Sequence, residues 1–220
     1  MNIHTLLPVG PFVEVDHGPF VVDNNLFLSP HALLVNSQGG AYAHNLMVGA
    51  IRVIHTERRE TPYHPAHSTT VAGLQKNPSG DDRYYNNLMA QQASLTAYDA
   101  TLLPVFMRDN VFFGGAKPSK HEPNPHVVPD FDPSIALTEQ TDGWHLVIAL
   151  DNALAAALPC QLITTAVLGK AKLSDQPYEN ADGSPLKIDS DYFGKPRNVT
   201  QPTPGPFENL GEGDLKLKIW

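Results

Sequence analysis

The sequence contains a single cysteine, Cys160, so it can form neither an internal disulfide bond nor a zinc site built on cysteines. It has no apolar run close to the ~20 residues of a membrane-spanning helix, and its start lacks the basic and long apolar segments of a signal peptide. Positive charge is also scarce: the formal net charge of −8 disfavours nucleic acid and anionic membranes as partners. We therefore expect no nucleic-acid partner, no membrane partner and a cytoplasmic location.

Turn-forming residues, in contrast, are abundant. Twenty prolines and sixteen glycines are scattered along 220 residues, which predicts many turns and few long helices. Charged residues make up 17 % and hydrophobic residues 41 % of the chain, so it is neither a disordered tail nor a coiled coil. The length is sufficient for one sizeable core.

A tetrad with the pattern polar-Asn-(Leu/Val)-(Phe/Met) occurs four times, at residues 24–27, 44–47, 86–89 and 109–112. The asparagines at positions 25, 45, 87 and 110 are separated by 20, 42 and 23 residues. Two steps are thus one period of a little over twenty residues, and the third is about twice that. A period in this range indicates stacked structural units.

The segments around the tetrads are rich in β-branched and aromatic residues, which favour strands. Leucine-rich repeats have a similar period, but their Leu-x-x-Leu-x-Leu pattern is absent. The sequence therefore predicts an all-β fold: a right-handed parallel β-helix of about four to five coils in residues 1–116. In this fold we expect the asparagine amides to bond from coil to coil, while the Leu/Val of each tetrad fills the interior.

The long step between the second and third tetrads indicates that one coil is expanded by a polar loop at residues 52–83. This loop holds many ionisable side chains, and long loops in repeat proteins commonly carry function. Because the first strand is expected one coil away, the loop and that strand should be able to meet.

Residues 117–220 are predicted to form a small β-rich cap or side layer that packs on the β-helix. Within them, 135–138 and 144–150 indicate a hairpin around Thr141-Asp142-Gly143. Residues 151–158 favour a short helix that ends at Pro159. We expect strands at 160–168 and, from its alternating pattern, at 214–219.

Two carboxylates and a histidine lie close together near the start of the chain. Residues 12–17 alternate apolar and polar, so a strand would put Glu14 and Asp16 on one face, roughly 6.5–7 Å apart, with His17 next to them. A solvent-facing strand with its acids outward would show the same pattern.

Several segments together resemble the C-terminal half of parallel β-helix glycosidases, and the similarity is greatest to the β-xylosidases of glycoside hydrolase family 120. The segments that carry this resemblance are residues 14–20, 23–25, 37–42, 44–46, 59–64, 67–69 and 189–195.

This resemblance implies a retaining mechanism with an Asp nucleophile and a Glu acid/base, and Glu14 matches the acid/base. The matching nucleophile would lie about one coil earlier, before Met1, so we expect an N-terminally truncated chain that is weak or inactive alone. Coils stack ~4.8 Å apart, close to the ~5–5.5 Å between the carboxylates of retaining enzymes. Asp16 is a secondary candidate, because a Glu14–Asp16 pair would be wider and nearer the inverting range.

The remaining site predictions concern sugar binding, and no cofactor or metal is expected. The candidate substrate-binding residues are His17, His44, Arg58, Arg59, His64, His67, Asp82 and Arg83. Some of them have simpler interpretations, such as a surface pair for Arg59 with Glu60 or a loop-closing ion pair for Asp82 with Arg83. A metal site from His64, His67 and Asp82 is disfavoured because the two histidines lie in a loop broken by proline.

Three functions remain open. The first is a β-xylosidase of the xylan 1,4-β type, with a xylo-oligosaccharide or related sugar as partner and possible homo-oligomer formation. The second is a polysaccharide lyase with an Arg or Lys base and calcium, for which only Glu57, Asp81 and Asp82 could supply acids. The third is a non-catalytic β-helix that binds carbohydrate.

Overall fold

The computed structural model of the chain describes residues 10–150, 160–209, 211 and 213–220, and it is nearly all β. The strands are β1 Phe12–Glu14, β2 Phe20–Asp23, β3 Leu26–Phe27, β4 His31–Asn36, β5 Gly40–Ala43, β6 Leu46–Met47, β7 Ala50–Val53, β8 Glu60–Tyr63, β9 Gly73–Lys76, β10 Arg83–Tyr85, β11 Leu88–Ala90, β12 Phe106–Arg108, β13 Val111–Phe113, β14 His126–Val128, β15 Ala136–Gln140, β16 Gly143–Leu150 and β17 Gly213–Lys218. A 3₁₀ helix spans Leu95–Tyr98 and a short α-helix, α1, spans Thr165–Leu168. No helix in the described part of the chain is long and apolar enough to cross a membrane.

Three parallel sheets form the walls of a solenoid. Their strand orders are β1-β4-β7, β2-β5-β10-β12 and β3-β6-β11-β13-β14, so each strand pairs with the equivalent strand of the next coil. The third sheet has five strands, which corresponds to about five coils. The expected right-handed parallel β-helix is confirmed.

An asparagine ladder runs along the axis of the solenoid. In each step a side-chain amide nitrogen donates to the amide oxygen of the next coil: Asn25 to Asn45 at 3.1 Å, Asn45 to Asn87 at 3.1 Å and Asn87 to Asn110 at 2.9 Å. Each acceptor oxygen also takes the backbone N–H of the preceding asparagine. The ladder ends on Glu122, whose Oε1 accepts from Asn110 Nδ2 at 2.9 Å. The predicted stacking of the asparagines is therefore confirmed. The sequence did not predict that a glutamate carboxylate ends the ladder.

The residue before each ladder asparagine turns the corner of its coil. Asn24, His44, Asn86 and Asp109 all have left-handed backbones, with φ between 54° and 58°. Among residues other than glycine, Asn, Asp and His adopt this conformation most readily. The polar residue that opens every tetrad is thus selected by backbone geometry.

The expectation that Leu/Val of each tetrad fills the interior is wrong. Side chains alternate along a strand, so the ladder asparagine and the Phe/Met two residues later share the inner side, and the Leu/Val between them faces outward. Accordingly, the interior core contains Phe27, Met47, Met89 and Phe112. The outward side chains Leu26, Leu46, Leu88 and Val111 are buried instead against the C-terminal part of the chain.

That C-terminal part covers two outer faces of the solenoid. The predicted hairpin forms as β15–β16, and β17 adds to it as a third antiparallel strand. The strand expected at 160–168 is wrong: this segment is irregular until α1, whose first turn is capped by the Thr164 side chain. The helix predicted at 151–158 lies outside the described residues.

The parallel stacking continues beyond residue 116, because β14 pairs with β13. The division at 116/117 stays a prediction, whereas residues 160–209 do contact the β-helix directly. Arg197, for example, is buried and donates to Asn24 Oδ1 at 2.6 Å.

The long step of 42 residues is a single coil that carries an inserted antiparallel hairpin. Ladder asparagines Asn45 and Asn87 bond directly, and β5 pairs with β10 on either side of the insertion. The extra residues form β8 and β9, which pair from Glu60↔Lys76 to Tyr63↔Gly73. The interpretation of one coil expanded by an insertion is confirmed.

Candidate active site cleft

A cleft of about 690 Å³ lies between the turn that follows β1 and the β8–β9 hairpin. It is lined by Glu14, Val15, Asp16, His17, Gly18, Pro19, Arg59, Thr61, Pro62, Tyr63, His64 and Gln176. The first strand and the insertion do meet, as expected, and the cleft is the place where they do.

Glu14 is the last residue of β1, and its partly exposed side chain forms an ion pair with Arg59. Arg59 Nη2 also donates to Glu57 Oε2 at 2.6 Å, and that oxygen accepts from Asn36 Nδ2 at 2.9 Å. Asn36 is buried on β4, in register with Glu14. Arg59 is therefore tied to the neighbouring coil through Glu57 and holds Glu14 at the cleft wall.

The electrostatics of this cluster follow from its hydrogen bonds. The Arg59 side chain and backbone N–H, together with Asn36, hold the pKa of the Glu57 carboxyl well below its usual range. The two carboxylates in turn raise the pKa of Arg59, so the guanidinium stays charged. The cluster thus presents one cation shared between two carboxylates at the rim of the cleft.

His17 is buried under the floor of the cleft with both ring nitrogens bonded. Gln38 Nε2 lies 2.8 Å from Nδ1, and an amide nitrogen only donates, so Nδ1 accepts. Nε2 must then carry the proton, which it donates to Thr61 Oγ1 at 2.8 Å. Burial lowers the pKa of His17, in keeping with this neutral form. The ring ties the hairpin to the solenoid.

Asp16 lines the cleft but is not on the same strand face as Glu14. Strand β1 ends at Glu14 and the chain bends at Val15, so the expected strand geometry of the two acids is wrong. The Asp16 carboxylate instead accepts from the backbone N–H of Gly18 at 2.8 Å and closes a turn.

His64 and His67 lie on the hairpin but face different neighbours. His64 lines the cleft, and its Nδ1 donates to the Thr70 carbonyl at 3.1 Å. His67 lies next to the cleft, where its Nε2 donates to Glu179 Oε1 at 2.8 Å. Gln176 donates to the His64 carbonyl, so this second contact also joins the hairpin to the C-terminal segment.

The other predicted binding residues do not reach the cleft. Arg58 is exposed and does not line it. His44 is fully buried at a coil corner, where Asn86 Nδ2 donates to its Nε2, and burial holds its pKa well below the usual value. It occupies the position in the tetrad equivalent to Asn24, where the backbone is left-handed.

Asp82 and Arg83 are structural as well. Asp82 has no exposed surface and accepts from the Gly40 backbone N–H at 2.8 Å, and burial raises its pKa to about 8. Arg83 is almost fully buried and donates to Asp81 Oδ1 at 2.9 Å and to the Leu168 carbonyl at 3.1 Å. It fastens the C-terminal segment to β10, so neither residue can contact a substrate.

These positions bear on metal binding. Asp82 is in the core, whereas His64 and His67 are on the hairpin, and Glu57 is paired with Arg59. Within the described ranges, no group of three or more His, Cys, Asp or Glu side chains is arranged to hold a metal ion. The acids that calcium-dependent lyase chemistry would need therefore do not cluster.

Sequence reasoning missed Thr61, Tyr63 and Gln176 as cleft residues. Thr61 and Tyr63 are two residues apart on β8, so a correct strand assignment for this segment would have put their side chains on one face. Gln176 lies 112 residues from its partner His64 in the chain, and no local pattern indicates that contact.

The fold is a glycoside-hydrolase-like parallel β-helix. Among solved structures, that of XylC in complex with xylose matches this chain with a TM-score of 0.87 and 31 % sequence identity. The match covers 95 % of this chain and 37 % of XylC, so the chain spans little more than a third of that protein's length. The resemblance to β-helix xylosidases that the sequence indicated is confirmed.

No family model matches the sequence, and no curated protein matches it significantly.

Proposed function

We propose that this chain supplies the acid/base carboxylate and part of the sugar-binding cleft of a retaining glycoside hydrolase of β-xylosidase type. The observation that carries the proposal is the position of Glu14, whose carboxylate lies in an open cleft and is held there by Arg59. The match to XylC, which covers 95 % of this chain, supports it. The structure of XylC is that of a complex with xylose, and we infer a neutral pentose unit as the ligand of this cleft.

In the proposed reaction Glu14 first donates a proton to the leaving oxygen and then, as a carboxylate, takes a proton from the attacking water. Arg59 sets the direction of the Glu14 carboxylate, because its guanidinium is fixed on Glu57 from the other side. Tyr63, His64 and Gln176 supply polar atoms and an aromatic face around the ligand. His17, with both nitrogens occupied, supports Thr61 and does not itself bind sugar.

The second carboxylate of a retaining pair must lie ~5–5.5 Å from Glu14. Strand β1 is at one edge of its sheet in the described structure, and a further coil stacked there would lie ~4.8 Å away. We assign the nucleophile to such a coil, supplied by polypeptide outside these 220 residues. Asp16 is a poor substitute, because its carboxylate is engaged by the Gly18 backbone.

The test begins with the genomic sequence immediately upstream of Met1. We expect an in-frame extension with an Asp about one repeat before Glu14. The extended chain should hydrolyse aryl β-xylosides, and the 220-residue chain should do so very poorly. Loss of an acid/base typically costs about 10²–10⁴-fold in rate, so the extended Glu14→Gln variant should be slowed by that factor.

Added azide separates the acid/base role from a structural one. Without the Glu14 carboxylate, azide can attack the glycosyl intermediate, so the Glu14→Gln variant should recover activity and release β-xylosyl azide. A Glu60→Gln variant, which changes an exposed carboxylate on the same hairpin, is the matched control and should keep full activity. If the Glu14→Gln variant still hydrolyses the xyloside at the unaltered rate, the acid/base role of Glu14 is refuted. If the 220-residue chain, the extended chain and the variants all bind sugar without cleaving it, a non-catalytic β-helix is favoured.

A further inference from the structure

The His17 ring joins two parts of the chain that are distant in sequence. It lies in the turn after β1, and its Nε2 is 2.8 Å from Thr61 Oγ1 and 3.2 Å from the Thr61 carbonyl oxygen on β8. Its Nδ1 is 2.8 Å from Nε2 of Gln38, which follows β4 on the adjacent coil. The ring therefore bridges the solenoid and the inserted hairpin across 44 residues of sequence.

The partners of the ring determine its protonation state. The Thr61 carbonyl can only accept a hydrogen bond, so Nε2 must carry a proton. Nδ1 can then accept from the Gln38 amide only while it carries none. A second proton on the ring would place two donors, Nδ1 and the amide nitrogen, opposite each other. The complete bridge therefore requires the neutral ring.

The groups around the ring favour this neutral form. Burial lowers the pKa of His17, whereas the Thr61 and Gln75 carbonyls and Asp16 raise it by less. Asp16 is on the same turn, and Gln75 is on β9 in register with Thr61. On β8 the Tyr63 ring meets the imidazole edge-on, with the ring centroids 6.4 Å apart. The ring is therefore neutral at pH 7 and becomes charged only below the usual histidine range.

The hairpin that this bridge holds forms one wall of the cleft. Arg59 directly precedes β8, and it lines the cleft together with Thr61 and Glu14. Because Arg59 also pairs with Glu14, a displacement of β8 would move the guanidinium relative to the carboxylate.

We propose that His17 is a positioning residue for the cleft: its neutral ring holds β8, and with it Arg59, against the turn after β1, and protonation of the ring releases the hairpin. The consequence for catalysis rests on the proposed function of Glu14. The bridge itself does not, so the two can be tested separately.

The test follows hydrogen exchange of residues 57–63 in the 220-residue chain by mass spectrometry, between about pH 7.5 and pH 5, after correction for the intrinsic effect of pH on exchange. His17→Ala should exchange about tenfold faster at every pH, the effect of losing one buried hydrogen bond. Wild type should show this increase only at the acid end. In His17→Gln the amide donates to Thr61 and does not titrate, so protection should be restored and should no longer depend on pH.

Two further variants isolate the role of the ring nitrogens. A Gln38→Glu carboxylate can accept from a protonated Nδ1, so this variant should keep its protection at acid pH. His121→Gln, which changes an exposed histidine, is the matched control and should behave as wild type. Circular dichroism checks that each variant is folded.

The outcomes separate the bridge from the proposed function. If nuclear magnetic resonance shows that His17 is protonated while wild type keeps its protection, Gln38 has turned its amide and the proposal is refuted. It is also refuted if His17→Ala exchanges like wild type, or if both proteins bind xylose equally well. If the exchange pattern is as expected but no form binds xylose, the bridge stands and the proposed function falls.

Discussion

Replacing Asn87 by alanine in the middle of the asparagine ladder should remove a large part of the stability of the solenoid. The side chain is fully buried and takes part in four hydrogen bonds, two with Asn45, one with the Tyr42 carbonyl and one with Asn110. Its loss leaves the Asn45 backbone N–H and one Asn45 amide hydrogen without partners and removes one donor from the Tyr42 carbonyl. Each buried unsatisfied group costs about 1–3 kcal/mol, so we expect a loss of about 4 kcal/mol. Folded domains are typically stable by only about 5–15 kcal/mol.

Urea unfolding followed by circular dichroism measures this loss, provided that wild type and variant unfold with similar dependence on urea. Asn198→Ala is the matched control, because Asn198 is exposed and its side-chain oxygen accepts local hydrogen bonds from the Thr200 backbone N–H and hydroxyl and from the Gln201 backbone N–H. It should cost less than about 1 kcal/mol. If Asn87→Ala is no more destabilising than this control, the ladder is a by-product of the stacking and not a source of stability.

Two further predictions concern buried charge. Burial raises the pKa of Glu122 to about 7, above its value in the unfolded chain, so the folded state binds this proton more tightly. The free energy of unfolding should therefore fall, by up to roughly 3 kcal/mol, between about pH 4 and pH 8. In the Glu122→Gln variant this fall in the free energy of unfolding should be absent. If wild type and variant show the same dependence of unfolding free energy on pH, the raised pKa of Glu122 is contradicted. Arg83→Met removes the buried cation that bonds Asp81 and the Leu168 carbonyl, and should cost about 3–5 kcal/mol. Limited proteolysis should then cut residues 160–209 sooner, whereas exposed Arg58→Met should change nothing.

The architecture was predictable because the repeat carries a physical constraint at each position. An asparagine that bonds to its equivalents on adjacent coils recurs in every tetrad, and the left-handed corner before it favours Asn, Asp or His at the preceding position. The orientation of the Leu/Val position was predictable too, since it follows from alternation once the asparagine is placed inside. Glu122 could not be predicted as the end of the ladder, because it lies outside any tetrad and joins Asn110 only through the folded chain.

The candidate site was predictable in part. Glu14, Arg59 and His64 were expected near one another, since the first strand and the expanded coil are close in the repeat register. His44, Asp82 and Arg83 were assigned to binding because they are ionisable and lie near the insertion. The burial of His44 and Arg83 depends on the C-terminal segment, which packs against β10 and the coil corners through contacts of high sequence separation. Asp82 is buried inside the solenoid, where it accepts from the Gly40 backbone N–H. No local pattern reports such contacts.

The inserted hairpin has a consequence for how such a protein can change. Its entry and exit are held by β7 and β10, which stack on neighbouring coils as though the insertion were absent. We therefore infer that the solenoid can accept a different hairpin at this position, because the strands on either side of the insertion keep their pairing with adjacent coils. Sequence changes in the hairpin can therefore alter which ligand binds, while the strands and the asparagine ladder of the repeat keep the fold unchanged.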